Sequence, residues 1–358
     1  MSDLKRPSGP PSAICIRSPN WVGDVVMATP AFRSIRRHFP SARIVLVIRD
    51  KVAPVLRGAP WFDRILIYRT VRGAASSAKE FLRCVSEIRR ERCQLGFIFP
   101  NSFSAALMLR LGRVRRRVGY VRDARSLMLT DAVARPSKHG RFKPTYMVDY
   151  YLALCKVYGI EPDSRRTELP FNYSDMAAAK QLLERAGVET ARPLFLLHPG
   201  AAFGPAKLWP EEWFAELAGK LHNGFGGQVA CIGAPQEGPA VQRIARMSRA
   251  PLVDLTTCGI DLHLLKCVVR LSSLLVTTDS GPRHYGVALG VPTVCLMGPT
   301  HPAYSSSGMR HDIVVRVDVT CGPCQEKSCK EDHRCMKLLT TEMVLEKCRE
   351  ALQRGQAE

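Results

Sequence analysis

Residues 274–300, LLVTTDSGPRHYGVALGVPTVCLMGPT, constrain the fold more than any other segment. An apolar run at 274–276 breaks at Thr277-Thr278-Asp279-Ser280-Gly281, a helix-like segment follows, and a second apolar run spans 293–297. That succession describes a buried parallel strand feeding a helix and then another strand. At such a junction the unpaired backbone N–H groups and the helix dipole favour a bound phosphate or another anion. The Asp279-Ser280 pair reads equally as a simple helix cap. The segment therefore points to a nucleotide-type ligand without requiring one.

The same rhythm recurs along the chain. Strands are expected at 13–16, 42–48, 64–68 and 95–99. A helix should carry Val25, Val26, Ala28, Phe32 and Ile35 on its apolar face, and another should span 75–92. A helix at 146–159 leads into a polar, proline-containing stretch at 160–170, where a domain boundary is expected. Residues 171–358 restart the pattern with strands at 194–198, 228–233 and 252–254 and helices at 211–221, 240–247, 261–270 and 341–352. Alternating strands and helices imply parallel sheets. The expected architecture is α/β: two Rossmann-like, doubly wound domains, 1–170 and 171–358, facing a cleft. No G-x-G-x-x-G follows any of these strands, which disfavours a dinucleotide oxidoreductase.

The charge is unevenly placed. Of a net +20, residues 1–170 carry +19 and residues 171–358 only +1. Arginines cluster at Arg33/Arg36/Arg37, at Arg89/Arg90/Arg92, and at Arg110, Arg113, Arg115, Arg116, Arg117, Arg122 and Arg125. Such a field attracts polyanions: nucleic acid, anionic lipid or phosphorylated substrates. An arginine-rich background serving solubility explains the total, but not the split. A hydrophobic fraction of 46% excludes wholesale disorder. No uninterrupted apolar run approaches the ~18 residues of a membrane span. The start, MSDLKRPSGPPS, lacks the apolar core of a signal peptide, so a cytoplasmic location is expected.

Three loops of the second half fall where such sheets bind ligands. The first, HPGAAFGPAKLWPEEW, has small residues that let backbone approach a ligand, and its Lys207 is either a solvated loop charge or a phosphate-binding cation. Trp209-Pro210-Glu211-Glu212 reads as a helix start. In the second, GAPQEGP, Glu237 is a surface acid or an acceptor for ribose hydroxyls. The third is the 274–300 segment. Together they outline a nucleoside diphosphate site. In the first half Asp24, after Gly23, is a helix cap or a general base toward an acceptor hydroxyl. No D-x-D pair is present, so the sequence gives metal-assisted nucleotide-sugar chemistry no support.

As a set, these motifs resemble a known family. N-W-V-G-D (20–24), H-P-G-A-x-F-G-P-A-K-x-W-P (198–210), G-A-P-x-E (233–237) and D-S-G-x-x-H (279–284) are similar to those of the lipopolysaccharide heptosyltransferases of glycosyltransferase family 9, and within them the heptosyltransferase II branch. The resemblance spans roughly residues 13–350. It implies a GT-B fold, an acceptor domain followed by an ADP-sugar domain, and inverting transfer of heptose from ADP-heptose to the inner core of lipopolysaccharide, with no cofactor and no metal. By the same resemblance Asp24 matches the general base. Lys207 matches the diphosphate-binding lysine, Glu237 the ribose-side acid, and Asp279 the sugar-contacting aspartate. Ser280, Gly281 and His284 match the phosphate-binding turn. Arg113, Arg115, Arg116 and Arg117 are expected to meet the anionic, lipid-linked acceptor, in peripheral contact with the cytoplasmic face of the inner membrane. Pro282 and Arg283 depart from the family's usual small or apolar pair; Arg283 is expected to add a cation near the donor phosphates, which leaves another nucleotide-sugar open.

Cys321, Cys324, Cys329 and Cys335, with His333 nearby, match no common zinc spacing closely. Free thiols, a bridge formed on oxidation and a metal site all remain open. A nucleic-acid-binding protein would explain the charge but not the near-neutral second half with its phosphate loops. A sugar-nucleotide epimerase would explain that half but not the basic first one.

Overall fold

The computed structural model describes residues 9–122, 124–138 and 141–355. The chain forms two compact units, Met1–Thr167 and Glu168–Glu358. Unit one contains strands β1 (Ala13–Arg17), β2 (Arg43–Arg49), β3 (Arg64–Tyr68), β4 (Leu95–Ile98), β5 (Arg116–Tyr120) and β6 (Asp131–Val133), followed by a short antiparallel pair, β7 (Ser137–Lys138) and β8 (Arg141–Phe142). Unit two contains β9 (Leu194–His198), β10 (Gln228–Cys231), β11 (Leu252–Asp254), β12 (Leu274–Thr278), β13 (Thr293–Leu296) and β14 (Asp312–Val315).

Both six-stranded sheets are parallel and share one order, β3-β2-β1-β4-β5-β6 and β11-β10-β9-β12-β13-β14. In each, the strand order reverses beside the first strand of the unit. The loops leaving β1, β9 and β12 therefore open at the switch point, where the carboxyl ends of the strands part. β1 and β9 are buried at all five positions, as strands covered on both faces must be.

The cores explain the order. In unit one Ala13, Cys15, Val45, Val47, Cys84, Val85 and Ile88 pack the helix Ala74–Arg90 onto the sheet. In unit two Phe195, Leu197, Phe214, Leu217, Val276 and Val294 join the helix Glu211–Phe225 to β9, β12 and β13, and Val344, Cys348 and Ala351 of the helix Thr341–Gly355 extend the same core. Each such fully buried aliphatic or aromatic side chain contributes about 1.5–3 kcal/mol before entropic costs. The helix Gly281–Leu289 approaches β13 closely because Gly286 has no Cβ; one there would lie 2.1 Å from Thr293 Oγ1.

The single helix expected over 25–35 is two, Val22–Met27 and Thr29–His38. Pro30 has no N–H to continue the first ladder, and the chain restarts from the Ala28 carbonyl. Among the described residues no helix is long and apolar enough to cross a membrane.

Candidate active site

In unit two the three loops meet at the carboxyl edge. Pro199–Lys207 follows β9, Ile232–Gly238 follows β10, and Asp279–Gly281 follows β12. The Thr278 hydroxyl donates to the Gly200 carbonyl at 2.6 Å, joining the first loop to the third. His198, the last residue of β9, joins all three. Its Nε2 lies 3.6 Å from Glu237 Oε2, while Nδ1 lies 3.1 Å from Ser280 Oγ and 3.2 Å from Thr277 Oγ1.

Glu237 lies flat over the first loop. Its Oε2 accepts the Ala234 N–H at 2.8 Å, and a Cβ on Gly200 would fall 1.7 Å from Oε1. Only glycine fits beneath this carboxylate. Burial works against the charge, but His198 and the Ala234 N–H hold the carboxyl below the usual range.

Ser280 occupies the N-cap position of the helix Gly281–Leu289, yet its side chain makes no cap bond. Its hydroxyl is spent on His198 and Thr277. The helix thus presents backbone N–H groups and the positive dipole end without a side-chain oxygen over them, an arrangement suited to an anion. His284, in the first turn, is 7% exposed. Burial and then the Arg283 charge pull its pKa down to about 4, so the ring is neutral at pH 7.

Lys207 is 8% exposed. Its ammonium donates to Asp279 Oδ2 at 2.9 Å and to the Asp279 carbonyl at 2.5 Å, and lies 4.8 Å over the Phe203 ring. Asp279 also accepts from Thr300 Oγ1 at 2.7 Å, Ser305 Oγ at 2.9 Å and Arg283 Nη1 at 3.1 Å. Burial raises its pKa, but Lys207 and Arg283 overcome this and hold it far below the carboxylate range.

The expectation for Arg283 is corrected here. Its guanidinium is fully buried and does not face outward as a phosphate cation. Nε and Nη2 grip the Asp312 carboxylate at 3.0 and 2.9 Å, and Nη1 holds Asp279. The guanidinium is committed on all three nitrogens to the buried Asp279 and Asp312 carboxylates, so its charge is spent within the protein. Arg283, Asp312, Thr300 and Ser305 thus support Asp279, and sequence reasoning placed only Arg283 in the region. The repeated serines and threonines of 299–307 were the available signal.

In unit one, Asp24 is the third residue of the helix Val22–Met27, and Trp21 is its N-cap residue. The Asp24 carboxylate is therefore not the N-cap; Oδ1 accepts the Tyr151 hydroxyl at 3.0 Å. Tyr151 is 3% exposed, and burial, then the Asp24 charge, push its pKa well above the usual phenol value. Asp24 thus faces a fixed neutral donor from the helix Met147–Val157.

Arg113, Arg115, Arg116 and Arg117 lie elsewhere. They precede and open β5, at the amino edge of the sheet, whereas Asp24 follows the carboxyl end of β1. Arg116 pairs with Asp131 and lies 4.9 Å over the Tyr158 ring. Arg117 donates to the carbonyls of Met128, Val114 and Arg115. Arg113 and Arg115 are exposed. The structure does not bring this cluster together with Asp24.

Cys321, Cys324, Cys329 and Cys335 line one cavity of about 220 Å³ with His333 and Ala206. None forms a disulfide. Among the described residues no three His, Cys, Asp or Glu side chains are placed to hold a metal ion. The segment clasps the Lys207 loop: Ala206 N–H donates to the Lys327 carbonyl at 3.0 Å, and His333 Nε2 lies 2.8 Å from the Ala206 carbonyl.

Two doubly wound parallel units with an anion-suited switch-point loop define a GT-B glycosyltransferase fold. The model of glycosyltransferase family 9 (heptosyltransferase) matches residues 81–334, and the chain belongs to that family. It is 28% identical over 299 residues to lipopolysaccharide heptosyltransferase 2 of Salmonella typhimurium, covering 82% of this chain and 84% of the relative. It is 26% identical over 350 residues to lipooligosaccharide heptosyltransferase 2 of Haemophilus influenzae, covering 95% and 99%. Among solved structures, a family 9 glycosyl transferase of Veillonella parvula shares the fold at TM-score 0.83 and 20% identity, covering 96% of this chain and 97% of that one. The E. coli ADP-heptose LPS heptosyltransferase II does so at TM-score 0.79 and 24% identity, covering 96% and 99%. The protein is a glycosyltransferase.

Proposed function

We propose that the protein transfers heptose from ADP-heptose to a hydroxyl of the lipopolysaccharide inner core, with inversion and without a metal. The observation that carries the reading is the meeting of Lys207, Glu237 and the N-terminus of Gly281–Leu289 on three adjacent loops of unit two. A diphosphate needs positive charge, which Lys207 and the helix dipole supply; a ribose needs an acceptor, which Glu237 supplies. The names of the relatives support the heptose and lipopolysaccharide assignments.

In the proposed step the Asp24 carboxylate takes the proton of the acceptor hydroxyl as its oxygen attacks the anomeric carbon. The bond from that carbon to the β-phosphate oxygen breaks, and ADP leaves as an anion. Lys207 and the helix N-terminus stabilise the charge that develops on the leaving diphosphate. Asp279 holds Lys207 in place and shapes the sugar end of the site. Ser280, Gly281 and the neutral His284 line the phosphate turn. The excess positive charge of residues 1–170 suits an anionic, lipid-linked acceptor at the cytoplasmic face of the inner membrane. The exposed Arg113 and Arg115 serve that surface attraction rather than the reacting group.

A donor panel tests the reading: ADP-heptose against UDP-, GDP- and other ADP-sugars, each with a lipid-linked core acceptor. Turnover restricted to ADP-heptose is expected. Preference for another nucleotide or sugar would overturn the donor assignment, and binding of duplex DNA or RNA with no transfer would favour a nucleic-acid role.

A further inference from the structure

The helix Phe103–Leu111 is apolar on both of its faces. Its inner face, Ala105, Ala106, Met108 and Leu109, is buried in the core of unit one. A surface helix ordinarily turns polar residues to solvent. Here the outward positions at helical spacing are Phe103, Leu107 and Leu111, and the polar side chains within the helix are Ser104 and Arg110 alone. Phe103 is 41% and Leu111 38% exposed, with Leu107 half-buried between them.

The strip widens at the turn Arg125–Met128. Leu127 there is 78% exposed, and Arg110 ties it to the helix, donating through Nη1 to the Leu127 carbonyl at 2.7 Å. From the helix Ala74–Arg90, Arg89 Nη2 donates to the Leu111 carbonyl at 2.9 Å. An apolar strip rimmed by cations that bond to its own backbone is a defined surface, not a scatter of lone side chains.

The charges choose the partner. Residues 94–130 hold seven arginines and one acid, Asp123, which lies outside the described residues. Arg116, Arg117 and Arg125 are spent inside the unit. Arg110, Arg113 and Arg115 are exposed, and among the described residues no acid pairs with any of them. Anionic lipid complements this surface, because its headgroups take the arginines while the acyl boundary takes the apolar side chains. A second copy of the same face would set those cations against each other.

The strip also leads to the reacting edge of unit one. Phe103 follows the carboxyl end of β4, which pairs with β1, and the chain leaving β1 carries Asp24. Asn101, two residues before Phe103, accepts the Tyr150 hydroxyl at 3.1 Å, and the next residue, Tyr151, holds Asp24. Leu111 lies at the opposite, amino edge, where Arg113 and Arg115 precede β5.

We propose that the outer face of Phe103–Leu111, with Leu127, Arg110, Arg113 and Arg115, docks the protein on an anionic membrane. Phe103, Leu107, Leu111 and Leu127 enter the boundary between headgroups and acyl chains, and the arginines meet lipid phosphates. The Phe103 end then brings the Asp24 edge close to the leaflet that carries the acceptor. That last step rests on the proposed transfer; the lipid contact itself does not.

The test is flotation of the full-length protein with vesicles of phosphatidylethanolamine and phosphatidylglycerol, with phosphatidylcholine vesicles as the uncharged control. Binding to the anionic vesicles is expected, and added salt should weaken it. Phe103→Ser combined with Leu127→Ser should reduce it about tenfold or more without lowering the melting temperature, and Arg113→Ser combined with Arg115→Ser by a similar factor. Independently, Leu127→Trp should add an emission that brominated phospholipid quenches beyond the wild-type level. Equal vesicle binding by wild type and both double variants, or no added quenching in Leu127→Trp, overturns the proposal. So does a dimer in sedimentation that the Phe103→Ser, Leu127→Ser variant abolishes while vesicles stay unbound. Transfer to a vesicle-embedded acceptor should fall in that variant and hold at the wild-type level with a delipidated, water-soluble acceptor. Variant-sensitive vesicle binding without heptose transfer would sustain this surface and reject the proposed function. Heptose transfer with variant-insensitive vesicle binding would do the reverse.

Discussion

The Lys207 ammonium sits 2.9 Å from Asp279 Oδ2, and both groups are more than nine-tenths shielded from solvent. The pairing explains how a lysine on a long loop keeps a fixed position before any nucleotide arrives. The carboxylate is itself fixed by Thr300, Ser305 and Arg283. Lys207→Ala removes the ammonium while Asp279 keeps Thr300, Ser305 and Arg283 as partners. ADP affinity is expected to fall by about 10–100-fold, the range for one charge-assisted bond, together with a lower melting temperature, because Asp279 loses one cation of a buried pair. An unchanged dissociation constant in calorimetry would remove Lys207 from the diphosphate site.

Arg283 has the opposite profile. Replacing it with methionine leaves Asp279 and Asp312 buried without their shared cation. The expected loss is about 3–5 kcal/mol in urea unfolding, as for one-sided removal from a buried pair. A loss below about 1 kcal/mol would show that the network is no more stabilising than a surface bridge.

The neutral His284 sets a pH dependence. Its folded pKa of about 4 lies below the ordinary value of 6.5, so between these pH values the unfolded chain binds a proton that the native chain does not. Stability is complete above pH 6.5 and declines as the pH falls toward 4, by about 3 kcal/mol from this residue. Asp279, Glu237 and Asp312, all held below their usual range, add losses in the same direction at more acid pH. Unfolding curves between pH 4 and 8 should flatten in His284→Asn above pH 4. Parallel curves for the variant and wild type would contradict the assignment.

Gly200→Ala tests the seat of Glu237. The added methyl would occupy the space of Oε1, so the carboxylate must swing off the first loop and lose its contact with His198. Nucleotide affinity is expected to fall about tenfold or more, while adenine-free pyrophosphate binding should change little. Equal weakening of ADP and pyrophosphate would place Glu237 away from the ribose.

Much of this was legible in the sequence because parallel strands covered on both faces read as apolar runs. The strands at 64–68, 194–198 and 252–254 match residue for residue. β5 was not legible: Arg116 and Arg117 open it, and their charges read as a surface cluster until Asp131, Tyr158 and three carbonyls are seen to absorb them. The helix Tyr173–Arg185 was also missed, its polar composition leaving only a weak apolar stripe. Motif residues located the donor loops, but spacing says nothing about direction. Arg283 sits in the first turn of an anion-suited helix and points inward, a choice made by Asp312 at the head of β14, 29 residues on. Likewise nothing local announces that Asp24 faces Tyr151, 127 residues away.

The most direct test of the account is transfer in the presence of EDTA, with wild type and Asp24→Asn side by side. Mass spectrometry follows the acceptor and released ADP, and NMR reads the anomeric configuration of the product. The account predicts one heptose gained per ADP released and configuration opposite to the donor's. It also predicts a rate about 10²–10⁴-fold lower in Asp24→Asn, with ADP affinity preserved. Retained configuration, loss of activity in EDTA, or full activity in Asp24→Asn would contradict it.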